Sequence, residues 1–238
     1  ADSLPDAYGY ALMDAWLVQN SRARSSFSPG VRLLYQGNRG MGALEYRPAI
    51  ESTSSKADKI QLDALVELAE LVLHNRETMV DRIESQDPSV DDEALKRLIQ
   101  VGTSAGGARA KAVIAINDKN EIRSGQVKAP KGFSYWLLKF DVQKASVELA
   151  DTQGYGRIEY AYYLMAQAAK IEMTECRLLE EGSRAHFMTK RFDRTDDGEK
   201  IHMATLCALD HADFNVPGVY SYELAFNVMR ELNLSRED

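Results

Sequence analysis

The stretch VGTSAGGARAKAVIAI, residues 101–116, sets three glycines, two hydroxyl residues, Arg109 and Lys111 directly ahead of an apolar run. That combination suits an anion. Gly106 and Gly107 let backbone N–H groups turn inward, Thr103 and Ser104 supply hydroxyl donors, and Arg109 and Lys111 add positive charge. The two common phosphate loops do not fit. A Gly-x4-Gly-Lys-Ser/Thr loop needs lysine after its second glycine, and Ala108 follows Gly107. The Gly-x-Gly-x-x-Gly fingerprint fails because only Gly102, Gly106 and Gly107 are available. These residues alone leave two readings: an anion cradle, or a turn into a strand with Arg109 and Lys111 solvated.

A second candidate lies further along. In FSYWLLKFD, Phe133, Tyr135, Leu137 and Lys139 alternate onto one strand face, so Lys139 continues an apolar row. A lysine there either snorkels to water or is held inward for an anion. A Gly-rich hairpin, an inward lysine two strands later and then a helix carrying Glu159 is the layout of a protein-kinase small lobe. There a loop covers the phosphates, a strand lysine grips them and a helix glutamate orients the lysine. The next hairpin, ECRLLEEGSRAHFMTKRFDR, would offer an adenine-binding hinge through its backbone.

Other chemistry-bearing residues carry less. His74, His186, His202 and His211 lack zinc-site spacing, so structural or surface roles are expected. Asp210, His211 and Asp213 sit together in ALDHADF, as polar loops often do. The acids at 91–93 and in DRTDDGE read as a solvated helix start and a loop. Arg22 and Arg24 fall in a polar surface loop.

The elements that must position these groups follow from periodicity and turn chemistry. Residues 3–18 read as a helix capped by Ser3, with Pro5 in its first turn. NSRARSSFSPG reads as a loop, and LLYQGNRGMGALEYRP as a hairpin or a strand meeting a helix. A long amphipathic helix is expected over 58–83, with Leu62, Leu65, Val66, Ala69, Val72 and Leu73 as its stripe, and a shorter one in QDPSVDDEALKRLIQVG has Gly102 just past its end. AKAVIAI, EIRSGQVK and FSYWLLKFD are strands separated by the turns NDKN and APKG. A helix over about 157–170 precedes the second hairpin, and YSYELAFNVMREL closes the chain as a helix. The fold class is therefore α+β: a mostly helical region 1–100, an antiparallel small lobe with one helix at 101–193, and the start of a helical lobe at 194–238.

Bulk composition agrees with a folded domain. The 238 residues are 45% hydrophobic and 27% charged, enough for a real core. Cys176 and Cys207 share no metal-ligand spacing and make a poor disulfide framework, which favours a reducing compartment, most simply the cytoplasm. No run of about 18 apolar residues could span a membrane. A formal net charge of -7 argues against direct nucleic-acid binding.

The ordered set SLPDAYG, GNRGMGALEYRP, TSAGGARAKA, YWLLKFD, IEYAYYLMAQAAKI, RFDR and IHMATLCALDHADFNVPGVYSYELAFNVMREL resembles the HipA-like serine/threonine kinases, toxin components of bacterial toxin–antitoxin modules. The resemblance implies a nucleotide loop of Ser104, Ala105, Gly106, Gly107, Ala108, Arg109 and Lys111. It implies that Ser104 is autophosphorylated, which ejects the loop, and that Lys139 binds phosphate, with Glu159 as its partner. It implies a hinge at Lys190, Arg191 and Phe192. ATP and magnesium would be the cofactors of a longer parent. An aminoacyl-tRNA synthetase would be a protein substrate, and a small DNA-binding antitoxin a regulator.

The departures shape the expectation equally. The family's catalytic Asp and its Asn and Asp metal ligands lie in a His-x-Lys-Asn segment and a later Asp motif, and neither occurs here. The chain also opens at Ala1 inside a helix-start pattern. It is expected to be a piece of a longer protein, with the catalytic and metal-binding residues beyond position 238, no metal site of its own and no catalysis alone. The rival expectation is a non-catalytic, kinase-like binding module.

Overall fold

The computed structural model describes residues 4–50, 57, 59–63, 65–67, 69, 98–99, 101, 107, 109–142, 154–213, 216 and 218–234. Most of the expected helix 58–83 and of the shorter one within 86–102 lies outside the described residues, as do Ser104, Ala105, Gly106 and Ala108.

Five strands form one antiparallel sheet: β1 Lys111–Asn117, β2 Ile122–Ser124, β3 Phe133–Lys139, β4 Cys176–Glu181 and β5 Arg184–Lys190, in the order β2-β1-β3-β5-β4. Asn117 closes the first turn by accepting the Lys119 and Glu121 N–H groups at 3.0 and 2.9 Å. Gly182, with φ +57°, lies in the turn between β4 and β5. Strand β2 is shorter than the expected 121–128. Its ladder stops because Gly125 presses on β1, where a Cβ would lie 2.5 Å from the Ile114 carbonyl.

The helices whose ends fall among the described residues are α1 Ala7–Gln19, α2 Pro29–Gln36, α3 Tyr155–Ala168, α4 Leu206–Leu209 and α5 Tyr222–Glu231. Helix α1 is capped by Asp6, whose Oδ1 accepts the Ala7 N–H at 2.7 Å. Helix α2 takes in the end of the expected loop and the first apolar run of the stretch expected as a hairpin or a strand meeting a helix. Ser28 accepts the Val31 N–H, Pro29 fills the first turn and Gly37 ends the helix at φ +56°. The α+β class holds. No described helix is long and apolar enough to cross a membrane.

Strand alternation divides the sheet into two faces. Ala112, Ile114 and Ile116 of β1 and Trp136 and Leu138 of β3 join Tyr8, Leu12, Trp16, Leu65, Leu98 and Ile99 in the main core. Burial of a residue such as Ile114 or Leu138 contributes about 1.5–3 kcal/mol. The register then fixes the opposite face. Lys111, Val113, Ala115 and Asn117 stand across from Lys139, Leu137, Tyr135 and Phe133. The candidate chemistry lies at the lysine end of that row.

Candidate active site

Lys111 and Lys139 are direct partners across β1 and β3. Two ammonium groups on one face repel, so something anionic must compensate. Glu159 does so from α3: its carboxylate forms an ion pair and hydrogen bond with Lys139 Nζ. Phe187 of β5 flanks the pair, with Lys139 Nζ 5.7 Å from its ring centroid.

The position of Glu159 depends on how α3 meets the sheet. Gly156 provides the close approach, because a Cβ there would lie 1.9 Å from the Ala185 carbonyl oxygen. Gly154, the helix N-cap at φ +114°, has no side chain to cap with. Asp141 takes over part of that task from just beyond β3. Its Oδ1 accepts the Gly154 N–H at 2.9 Å and its Oδ2 accepts the Ala185 N–H at 3.3 Å. Asp141 therefore ties the strand bearing Lys139 to the helix bearing Glu159. Sequence reasoning passed over it, since a lone acid after a strand carries no periodic signal.

Beside Asp141, the wholly buried His186 accepts the Asp141 N–H at Nδ1, 2.8 Å away. The proton therefore resides on Nε2, which meets Glu181 at 3.2 Å. Burial, opposed by Glu181, holds the imidazole below its ordinary value of 6.5. The unfolded chain thus takes up a proton first as pH falls below 6.5, and stability is lost from there down to the folded value. Thermal melts between pH 7.5 and 5 should show a Tm decline that is shallower in His186→Gln. Equal slopes in the two proteins would exclude this role.

Lys111 is not solvated: it is 3% exposed. Burial pushes its amine down to about 8, aided by the charge of Lys139 and opposed by Asp6 and Glu159. Gly107 lies directly against it at φ +102°, where a Cβ would stand 2.7 Å from Lys111 Nζ. The residue is glycine for both reasons, conformation and space. Arg109 stacks on Tyr155 at the start of α3, its Cζ 3.5 Å from the ring centroid. The described part of the glycine stretch thus adjoins the lysine pair and the helix that supports it.

The residues expected to form a hinge, Lys190, Arg191 and Phe192, differ in their surroundings. The Lys190 N–H donates to Glu175 at 2.8 Å and the Arg191 N–H to Tyr135 at 2.9 Å, so both backbone donors are engaged. Lys190 Nζ reaches Asp196 at 3.2 Å. Phe192 is 64% exposed, and its N–H meets no acceptor among the described residues. Of the three, it is the one with a backbone donor open to a ligand.

Arg191 faces inward instead. Its Nε and Nη2 donate to the two Asp193 oxygens at 2.8 and 2.6 Å. Arg194 Nη1 shares Asp193 Oδ2 at 2.9 Å and donates to Gly42 O at 3.0 Å, while Nη2 donates to Gly40 O at 3.2 Å. The Gly42 N–H completes the cluster on Asp193 at 2.7 Å. Burial and the neighbouring Arg191 push Arg194 down to about 10. The conspicuous RFDR motif is therefore largely a buried clamp that fixes the hinge to residues 40–42.

No group of three or more His, Cys, Asp or Glu among the described residues could hold a metal ion. No curated protein matches the chain. The HipA-like C-terminal domain does match it, over residues 103–238, which takes in the lysine pair, its glutamate and the hinge. With more than half of its length matched, the chain belongs to the HipA-like C-terminal domain family.

Proposed function

We propose that residues 103–238 form the nucleotide-binding part of an ATP-dependent serine/threonine protein kinase. The observation that carries this reading is the Lys139–Glu159 pair, with the lysine at the end of β3 and the glutamate on the helix that follows it. In kinase small lobes this pair holds the phosphates of ATP, and catalysis there is mostly positioning and charge neutralisation. Lys111 adds a second cation, with Gly107 lying against its amine. Phe192 offers its N–H to the adenine edge. Ser104 to Lys111 form the nucleotide loop, with Ser104 as its autophosphorylation site.

ATP fits these residues; magnesium finds no ligand set among those described. Bound ATP supplies the transferable γ-phosphoryl group. Lys139 and Lys111 hold its phosphates, and Glu159 fixes Lys139. The 238 residues contain no His-x-Lys-Asn segment, so the chain by itself binds nucleotide without transferring phosphate. A protein serine or threonine, in the family's pattern an aminoacyl-tRNA synthetase under control of a small DNA-binding antitoxin, completes the proposal. A second reading is a non-catalytic module that keeps the kinase-like lobe as a binding surface.

Calorimetric titration with ATP–magnesium separates the readings. Saturable binding that Lys139→Ala weakens at least tenfold, about 1.4 kcal/mol, supports the first. Equal affinity in the two proteins would sink the phosphate assignment, and no binding by the wild type would leave the second reading standing.

A further inference from the structure

The motif SLPDAYG plays no part in the nucleotide reading, yet its aspartate reaches the glycine stretch. Asp6 Oδ1 caps α1 through the Ala7 N–H at 2.7 Å, and Oδ2 accepts the Gly107 N–H at 3.0 Å. The Gly107 carbonyl in turn accepts the Tyr8 N–H at 3.4 Å. Gly107 is thereby held on both sides by residues 99 or more positions earlier in the chain. The helix cap alone needs only one of the two Asp6 oxygens; the second is available to bind the loop.

We propose that Asp6 is a positioning residue of the phosphate site, holding Gly107 against Lys111 so that a nucleotide phosphate meets a preset loop and amine. The proposal rests on the nucleotide reading above. Geometry supplies the first support, since Gly107 has no Cβ where Lys111 Nζ lies. Electrostatics supplies the second. Lys111 faces Lys139 from β3, Glu159 from α3 and Asp6 from the start of α1, while Arg109 is drawn aside onto Tyr155. Burial and Lys139 push the Lys111 amine down, and Asp6 and Glu159 oppose them. Loss of the Asp6 charge removes one of the influences that keep the Lys111 proton in place, and the Glu159 carboxylate is already paired with Lys139.

The test uses Asp6→Asn, which keeps one accepting oxygen for the α1 cap but loses the charge and the acceptor for the Gly107 N–H, and Asp6→Ala, which loses the cap as well. Two readouts are taken on each full chain: the Lys111 15Nζ titration by NMR, and ATP–magnesium affinity from pH 6.5 to 9.5. In the wild type the amine titrates near pH 8, and affinity falls as pH rises through that value. In Asp6→Asn both midpoints should move down by about one pH unit. Both variants should also lose about tenfold in affinity at every pH, from the unpinned loop. A role limited to capping α1 would lower Tm and leave both midpoints in place. Unmoved midpoints in Asp6→Asn therefore overturn the proposal, as does an amine midpoint that moves while the affinity profile does not follow. A wild type whose amine titrates near 8, shifts in Asp6→Asn, yet binds no ATP–magnesium would support the Asp6–Lys111 coupling and defeat the nucleotide reading instead.

Discussion

Replacing Gly156 with alanine should force α3 away from β5 and part Glu159 from Lys139. The added Cβ would stand 1.9 Å from the Ala185 oxygen, 3.0 Å from its carbon and 3.2 Å from the Phe187 nitrogen. All three are backbone atoms of a strand paired on both sides, so no side chain can swing clear. Overpacking of this kind costs about 1–3 kcal/mol, and a rigid backbone puts the substitution at the upper end. For a chain of this length that lowers Tm by roughly 2–4 °C per kcal/mol. The affinity for ATP–magnesium should fall with it, because the helix carries the lysine's partner. Gly30→Ala is the control. It lies in α2 with its nearest neighbour 4.0 Å away, so melts and titrations should match the wild type within error. A Gly156→Ala protein with wild-type Tm would show that the contact between α3 and β5 yields easily.

The second large effect is expected at Asp193. Two guanidiniums share this one carboxylate, and the Asp193, Arg191 and Arg194 side chains are 1%, 1% and 3% exposed. Asp193→Ala leaves both cations buried without an anion, a change that costs about 3–5 kcal/mol. Urea melts should show the midpoint falling accordingly, and Phe192 should lose its fixed position as the hinge loosens. A change below about 1 kcal/mol would mean that water replaces the carboxylate readily. The acid limb of stability has the same origin. Burial, the strongest influence, raises the Asp193 carboxyl. Hydrogen bonds and charge from Arg191, with the Gly42 N–H and Arg194, outweigh it and leave the group below its ordinary 3.8. The contribution is therefore complete above that ordinary value and disappears as pH falls through the lower folded one.

Strong local signals carried the sheet. The apolar runs of β1 and β3, the turn between β4 and β5, and the alternation that placed Lys139 among Phe133, Tyr135 and Leu137 all correspond to the observed strands and register. Helix α2 went unread although Ser28–Pro29 is a helix-start pair, because the flanking arginines and serines suggested a loop. Periodicity could not decide between a solvated and a buried Lys111. That depends on Gly107 and Lys139, which pack over it or face it across the sheet. Asp6 and Asp141 were invisible as site residues for a related reason. Each acts on a backbone N–H between 13 and 101 positions away, and such contacts leave no trace in local spacing. RFDR was legible as a landmark, but its arginines are turned into the protein and its exposed contribution is Phe192.

The main hydrophobic cluster runs without a break from Tyr8 and Leu12 through Leu65 and Leu98 to Ile114, Trp136 and Met188. The family match begins at residue 103, in the middle of that cluster's sequence. Homology and cooperativity therefore have different borders in this chain. A segment trimmed to the matched residues would present Ile114, Trp136 and Leu138 as a bare apolar sheet face, and Arg194 would lose the Gly40 and Gly42 carbonyls. In evolutionary terms the first hundred residues are not an optional attachment. They supply the other half of the interior beneath the sheet, and a gene rearrangement that separated the two would leave neither part with a complete core.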